Sequence, residues 1–309
     1  MSVLVLGSSG LVGRSLVGRL ATAGHSVVAC DVRPSPIAPV AGVSYVQTDI
    51  SRLDQVLALV EQHEVSGVVL LSYLMGQLMS LKYADILQAC QVNITGVTNV
   101  LEAARLLRVP RVVFLSTVGT YGPQSMYGDR PVTEDEILAP GSMYGQMKAL
   151  NESICDRYAA LYDLEVVKIR PSSILGPGSS IWPSRLIDRV ALGETGLAPY
   201  GESARDNVVA VDDIAALLSR LVTGPVPAHR SYLASGHNVT MGELADVVRS
   251  IVPGALIEFP TQKRRPTYPE TFDNSRAVTE FGWAITGLKE TVRAHIDGVR
   301  AQARGTAGA

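Results

Sequence analysis

Val3-Leu4-Val5-Leu6-Gly7-Ser8-Ser9-Gly10-Leu11-Val12-Gly13 brings an apolar run straight into a Gly-x-x-Gly-x-x-Gly turn. A helix-like pattern over Leu11–Ala23 follows at once. Glycine permits the tight turn and lets an anion approach the backbone closely. The helix behind it points unpaired N–H groups and the positive end of its dipole at the same place. Glycines alone suit any strand-to-helix turn. A strand before them and a helix after them make this a dinucleotide pyrophosphate site, with Gly7, Ser9, Gly10, Leu11, Val12 and Gly13 around it.

Working outward, strand-like runs at Ser26–Cys30, Ser44–Gln47, Val68–Leu71, Arg111–Ser116 and Glu165–Arg170 alternate with helical patterns at Leu53–His63, Asp85–Leu107 and Met143–Tyr162. The strands are mostly continuous apolar runs, as required where helices cover both faces of a sheet. The pattern predicts an α/β fold built on a doubly wound parallel sheet. After Pro171, Gly and Pro become frequent and the strict alternation lapses, which predicts a smaller C-terminal α/β lobe for the substrate. The divisions read as a nucleotide-binding domain over 1–171 with a return segment near 206–234, a substrate lobe over 172–205 and 235–302, and a fraying tail over 303–309.

Asp31 ends the second strand, 24 positions after Gly7, where a carboxylate accepts hydrogen bonds from the adenosine ribose hydroxyls. Negative charge there repels the additional phosphate of NADP, so NAD is the expected cofactor. Arg33 complicates this, because it either lies over the adenine or partly neutralises Asp31. Asp49-Ile50 ends the third strand, where Asp49 either receives the adenine amino group or, with Ser51, starts the next helix.

Composition narrows the class. A hydrophobic fraction of 47% against 18% charged residues suits a well-buried core rather than disorder. The formal net charge of −2 offers no electrostatic footprint for nucleic acid or an anionic membrane. No run approaches the roughly 18 apolar residues that span a bilayer, and the first strand begins too near Met1 to leave room for a signal peptide. Cys30, Cys90 and Cys155 read as free thiols in a reducing, cytoplasmic compartment, and neither they nor the scattered histidines have metal-ligand spacing.

Tyr144 and Lys148 stand four residues apart in a helical pattern, on one face. A nearby ammonium favours the phenolate and is expected to lower the tyrosine pKa from about 10 toward working pH. Such a pair can exchange the proton of a hydroxyl while hydride moves to or from a nicotinamide. A Tyr-x-x-x-Lys pair alone is weak, since a solvated helix face produces it too. Its place after five strands, with Ser116-Thr117 at the end of the preceding one, gives it weight.

At this point the sequence resembles the extended short-chain dehydrogenase/reductase superfamily, the NAD-dependent epimerase/dehydratase group, from Val3 to about Trp283. The resemblance rests on Gly7–Gly13, Asp31, Asp49-Ile50, Asn93-Ile94-Thr95-Gly96, Leu115-Ser116-Thr117, Tyr144–Lys148, Ile169-Arg170-Pro171, Arg205-Asp206-Asn207-Val208 and Arg265-Pro266 in that order. It implies a Rossmann-type fold. It also implies Thr117 as the residue bonding the reacting oxygen, Tyr144 as acid/base, and Lys148 as a holder of the nicotinamide ribose. Leu71, Ser72, Asn93, Leu115 and Pro171 are expected beside the cofactor. Thr117 as a strand cap and Asn93 as a structural residue remain the plainer readings. A homodimer packed through the helices near Asp85–Leu107 and Met143–Tyr162 is implied as well.

Departures from the family pattern shape the expected reaction. Val118 and Gly119 stand where dehydratases of the group carry acids, and neither can move a proton, so elimination is disfavoured. Ser173 replaces an Asn that often contacts a substrate diphosphate, and Tyr73 intrudes on the substrate space. The stretches Leu70–Met75 and Tyr268–Asp273 resemble threonine-dehydrogenase-like members. Arg205 and Arg265 match arginines that grip phosphates, and equally suit a carboxylate or an ion pair between lobes. Tyr121, Trp182 and Tyr200 are cleft candidates, with core packing as the default. The expected function is NAD-dependent hydride transfer at a secondary alcohol of a small polar substrate, with Tyr73, Thr117, Ser173, Arg205 and Arg265 around it. A nucleotide-sugar 4-epimerase and a non-catalytic NAD sensor are the rivals, and the Tyr–Lys pair speaks against the second.

Overall fold

The computed structural model describes residues 2–34, 39–75, 85–179, 182–261 and 266–307, with 305–307 described by backbone alone. The first half runs β1 (Ser2–Leu6), α1 (Leu11–Thr22), β2 (Ser26–Asp31), β3 (Val43–Gln47), α2 (Leu53–Gln62) and β4 (Gly67–Leu70). Then come α3 (Ile86–Cys90), a π-helical turn (Gln91–Gly96), α4 (Val97–Leu106), β5 (Arg111–Leu115), α5 (Met143–Tyr162) and β6 (Glu165–Pro171). The second half contains β7 (Ser173–Leu175), α6 (Ser184–Ala191), β8 (Gly196–Leu197), β9 (Arg205–Ala210), α7 (Val211–Thr223), β10 (Ser231–Ala234), β11 (His237–Thr240), α8 (Met241–Ile251), β12 (Ile257–Glu258), α9 (Ser275–Phe281) and α10 (Leu288–Ala307).

Seven parallel strands form the main sheet in the order β10-β6-β5-β4-β1-β2-β3. The strand order turns between β1 and β4, and in such sheets ligands bind in the crevice outside the carboxyl ends of the strands at that point. Val3, Leu4, Val5, Leu6, Val68, Val69, Val112 and Val113 are all fully buried, which is why these strands read as unbroken apolar runs. The sheet is covered on one side by α1 and α7, and on the other by α2, α4 and α5. A second sheet, β11-β9-β7, and the short β8–β12 pair make up the lobe beyond the crevice. This lobe has its own core of Leu186, Ile187, Val190, Val208, Leu244, Val248, Val292 and Ile296.

Two local expectations change. The helix read as continuous over Asp85–Leu107 contains the π-helical turn Gln91–Gly96, where contacts with the β4 loop and Ile50 override local helical preference. Residues 303–307, within the tail read as fraying over 303–309, continue the backbone of α10 to Ala307. Among the described residues no helix is long and apolar enough to cross a membrane.

Candidate active site

The glycine turn is dictated by close approach. Gly7 has φ +91, and a Cβ on it would lie 2.7 Å from the backbone nitrogen of Ser72. A Cβ on Gly13 would stand 2.2 Å from the Gly7 carbonyl oxygen, so α1 can begin this close to β1 only with glycine there. Gly10 caps α1 without any side-chain hydrogen bond to its first turn, which leaves the helix N-terminus for a ligand. Leu11 starts the helix and Val12 is buried behind it.

Asp31, at the end of β2, accepts from the Ser9 amide at 3.1 Å and from the Arg33 amide at 3.0 Å. The exposed Arg33 guanidinium lies 3.3 Å from the same carboxylate, so it acts here as a partial neutraliser. Ser8, Ser9, Ala29, Asp31, Arg33 and Tyr45 line a cavity of about 190 Å³. Ser9 Oγ and Tyr45 Oη are buried with no hydrogen-bond partner. Orphaned polar atoms, an acidic rim and an uncapped helix end fit the adenosine and pyrophosphate of NAD. Asp49 takes the plainer of its two roles: its carboxylate receives the Ser51 amide at 2.9 Å at the entry to α2. Ile50 is buried, and its side chain fills the space a Cβ on Gly96 would need.

The loop after β4 lies across the glycine turn, with Leu71 bonded to the Leu6 carbonyl at 2.8 Å and Ser72 against Gly7. Asn93 holds this loop. Its Oδ1 accepts from Leu74 N at 2.8 Å and its Nδ2 donates to Leu74 O at 2.9 Å. The whole Asn93 side chain is thus engaged by protein, and Asn151 fixes the Asn93 carbonyl at 2.8 Å.

Thr117, Tyr144 and Lys148 come together where β5 meets α5. Ser142 caps α5 by accepting from Gly145 N at 3.1 Å, and Gly145 is forced because a Cβ there would lie 2.2 Å from the Gly119 carbonyl. That contact sets the helix against the Thr117–Gly119 turn, in which the Thr117 hydroxyl accepts from Gly119 N at 3.0 Å and lies near enough to the Tyr144 phenol to influence its pKa. Lys148 Nζ donates to the Leu115 carbonyl at 2.6 Å. Its ammonium lies 3.7 Å from the ring centre of Tyr73 and 4.7 Å from that of Phe114. Tyr73 meets Tyr144 edge-on at 5.5 Å. Pro171 ends the neighbouring strand β6.

In the free chain burial runs against the electrostatic expectation for this pair. It pushes the Tyr144 phenol up to about 12, opposed by the nearby Thr117 hydroxyl. Burial also pulls Lys148 down to about 7, with Glu152 opposing it. In the free chain, loss of water outweighs the mutual effect of the two groups.

Behind the pair stands a network that sequence reasoning missed. Glu152, one turn beyond Lys148, accepts from Ser116 Oγ and is paired with Arg170 at 2.6 Å, both partners being buried. Arg170 also reaches Tyr121 at 2.5 Å and the Glu134 carbonyl at 2.8 Å. Tyr121 is therefore a buried strut rather than a cleft wall. The i, i+4 spacing of Lys148 and Glu152 was the available signal.

The predicted substrate residues separate. Tyr73 and Thr117 lie with Tyr144 and Lys148. Ser173 instead donates to Asp206 at 2.9 Å. Arg205 turns to Asn238 at 3.1 Å and to Glu243 at 3.9 Å, beside an open depression of about 590 Å³ lined by Glu202, Glu243 and Asp246 that lies apart from the Thr117–Tyr144 grouping. Arg265 lies outside the described residues.

Residues 3–232 match the NAD dependent epimerase/dehydratase family. The chain is 27% identical to a UDP-glucose 4-epimerase of Mycolicibacterium smegmatis, over 92% of this chain and 93% of that protein. It is 26% identical to the mitochondrial L-threonine 3-dehydrogenase of Sus scrofa, over 91% and 78% respectively. The UDP-glucose 4-epimerase of Thermus thermophilus, solved in complex with NAD, shares the fold with a TM-score of 0.83 at 23% identity, covering 97% of this chain and 99% of that one. A match over most of the chain, on a sheet whose crevice suits a dinucleotide, decides the question: the chain belongs to the NAD dependent epimerase/dehydratase family and is an enzyme of that kind, with NAD as its cofactor.

Proposed function

We propose that the chain is a dehydrogenase that interconverts a secondary alcohol and its ketone on a small polar substrate, using Thr117, Tyr144 and Lys148. The observation that carries this reading is Tyr73, whose ring lies over Lys148 and edge-on to Tyr144. An epimerase must let its keto intermediate turn and present the opposite face to the hydride. An aromatic wall against the catalytic pair takes up the room that a sugar ring needs for that turn. Buried Val118 and side-chain-free Gly119 supply no second proton carrier, which argues against elimination.

The Gly7–Gly13 turn and Asp31 would hold the pyrophosphate and adenosine, and Lys148 the nicotinamide ribose. When bound, NAD supplies the acceptor for the alcohol's hydride. Tyr144 moves the proton at the substrate oxygen, and Thr117 orients that oxygen. With the phenol pushed up to about 12, Tyr144 is protonated at neutral pH, ready to protonate a ketone oxygen. Alcohol oxidation needs the phenolate, so its kcat/KM should rise with pH while ketone reduction stays level.

The test is net formation of NADH from NAD and a panel of small secondary alcohols. Tyr144→Phe should lower kcat by about 10²–10⁴-fold with NAD binding retained. Conversion of a nucleotide sugar to its epimer without net NADH would establish the rival reading, which the Mycolicibacterium smegmatis relative supports.

The same reading takes the enzyme to be a cytoplasmic homodimer. Cys30, Cys90 and Cys155 are unpaired, as suits a reducing compartment. Ile86, Leu87, Met143, Leu150, Leu161 and Tyr162 are exposed on the helices through which it would pair. A monomer mass by light scattering at micromolar concentration would contradict the dimer.

A further inference from the structure

An ammonium group has three hydrogens to give. On Lys148 the Leu115 carbonyl takes one at 2.6 Å. The rings of Tyr73 and Phe114 cover the rest of the group, their centres 3.7 and 4.7 Å from Nζ. The residue is 3% exposed, so no face of the ammonium is left open to a further oxygen. Yet the role proposed for Lys148 is to hold the hydroxyls of the nicotinamide ribose. One of its three neighbours must give way.

Two of them are fixed. Leu115 offers a backbone carbonyl at the end of β5, in register with Ile169 of β6. Phe114 is fully buried in the core that α4 and α5 cover. Tyr73 differs in every respect. It lies in the irregular segment after β4 and keeps part of its surface exposed. Its hydroxyl is buried without a hydrogen-bond partner. Burial pushes the phenol upward, and Asn151, opposing from nearby, does not complete a bond to it. A buried hydroxyl left unpaired is costly, so turning the ring away restores to Oη what covering Lys148 denies it. The backbone does not follow. Leu71 N is bonded to the Leu6 carbonyl, and Asn93 grips Leu74 through both its N–H and its carbonyl. The ring therefore turns about its own side-chain bonds and stays within the crevice.

We infer that Tyr73 competes with the cofactor for Lys148: its ring covers the face of the ammonium that the nicotinamide ribose takes, and it turns off that face as NAD binds. The apparent affinity for NAD is then lowered by the fraction of molecules in which the ring is seated. This exchange rests on the proposed ribose-holding role of Lys148 and is independent of the reaction that follows.

ADP-ribose and ADP serve as probes, because the first carries the second ribose and the other lacks it. Their affinities for the NAD-free enzyme are measured by calorimetry. Tyr73→Ala should bind ADP-ribose about tenfold tighter than the wild type, with ADP changed by about twofold or less. Tyr73→Phe keeps a ring on Lys148 and should show no gain. Lys148→Met should weaken ADP-ribose about tenfold, and Tyr73→Ala added to it should bring no tightening. Should Tyr73→Ala not fold, Tyr73→Ser removes the ring equally and is read in the same way. Loss in Lys148→Met with no gain in Tyr73→Ala, or an equal gain for ADP, overturns the exchange and leaves the role of Lys148 standing. Unchanged ADP-ribose affinity in Lys148→Met overturns that role, and the exchange with it.

Discussion

At the nucleotide end of the crevice the working parts are absences. Gly7 and Gly13 matter because a Cβ on either would strike backbone, and Gly10 because it leaves α1 uncapped. At the proposed reaction end the parts are side chains from distant segments: Thr117 after β5, Tyr144 and Lys148 on α5, and Tyr73 after β4. The first end is a local property of consecutive residues, while the second exists only once the sheet has assembled. The two ends should therefore fail differently when altered.

The largest effect is expected at the nucleotide end. In Gly13→Ala the added carbon would lie 2.2 Å from the Gly7 carbonyl, which is backbone and has no rotamer to yield. NAD affinity by calorimetry should fall about 100-fold or more, as the helix and turn are forced apart. Gly18→Ala, in the same helix with nothing within 4 Å of its added carbon, sharpens the contrast. It should leave NAD binding alone and stabilise the chain by about 0.5–1 kcal/mol. Equal losses in both variants would mean that α1 responds to helix composition rather than to close approach.

This contrast explains what was legible beforehand. The parallel sheet was readable because its strands are buried on both faces and so carry unbroken apolar runs, and the glycine turn because its geometry is local. The π-helical turn was not, since Asn93 and Gly96 are held there by Leu74 and Ile50, far away in sequence. Ser173 was expected to face substrate and donates to Asp206, a partner that nothing near it in the chain points to. Spacing reveals a neighbouring charge and says nothing about burial, which is what pushes Tyr144 upward in the free chain.

A second effect, read in stability rather than affinity, tests how the reaction end is braced. Arg170 and Glu152 are both buried, and breaking the pair leaves a charge without its partner. Arg170→Met should destabilise the chain by about 3–5 kcal/mol in denaturant unfolding. The double variant Glu152→Met/Arg170→Met should lose less than the sum of the single losses, since neither charge is stranded. Additive losses would show that Ser116 and Tyr121, rather than the ion pair, carry the bracing.

The smallest effect expected at the reaction end is a gain of stability, and it separates turnover from folding at one residue. Lys148 is 3% exposed, and burial draws its pKa down from 10.5 to about 7. Below pH 7 the amine is protonated in both folded and unfolded chains, so the folded state bears the full cost of a buried charge. Between pH 7 and about 10 the folded chain has shed that proton while the unfolded one still holds it, and stability should rise with pH across this window. Lys148→Met removes the charge together with the Nζ bond to Leu115. Compared at pH 6, the NAD-free variant should be the more stable by about 1–3 kcal/mol, melting several degrees higher, with the gap narrowing toward pH 9. Turnover should be lost at every pH. A variant less stable than the wild type at pH 6 would mean that the Leu115 bond and the Tyr73 and Phe114 rings hold the ammonium more tightly than its loss of water expels it. Lys148 would then be a structural asset, and the two ends of the crevice would differ less than their construction suggests.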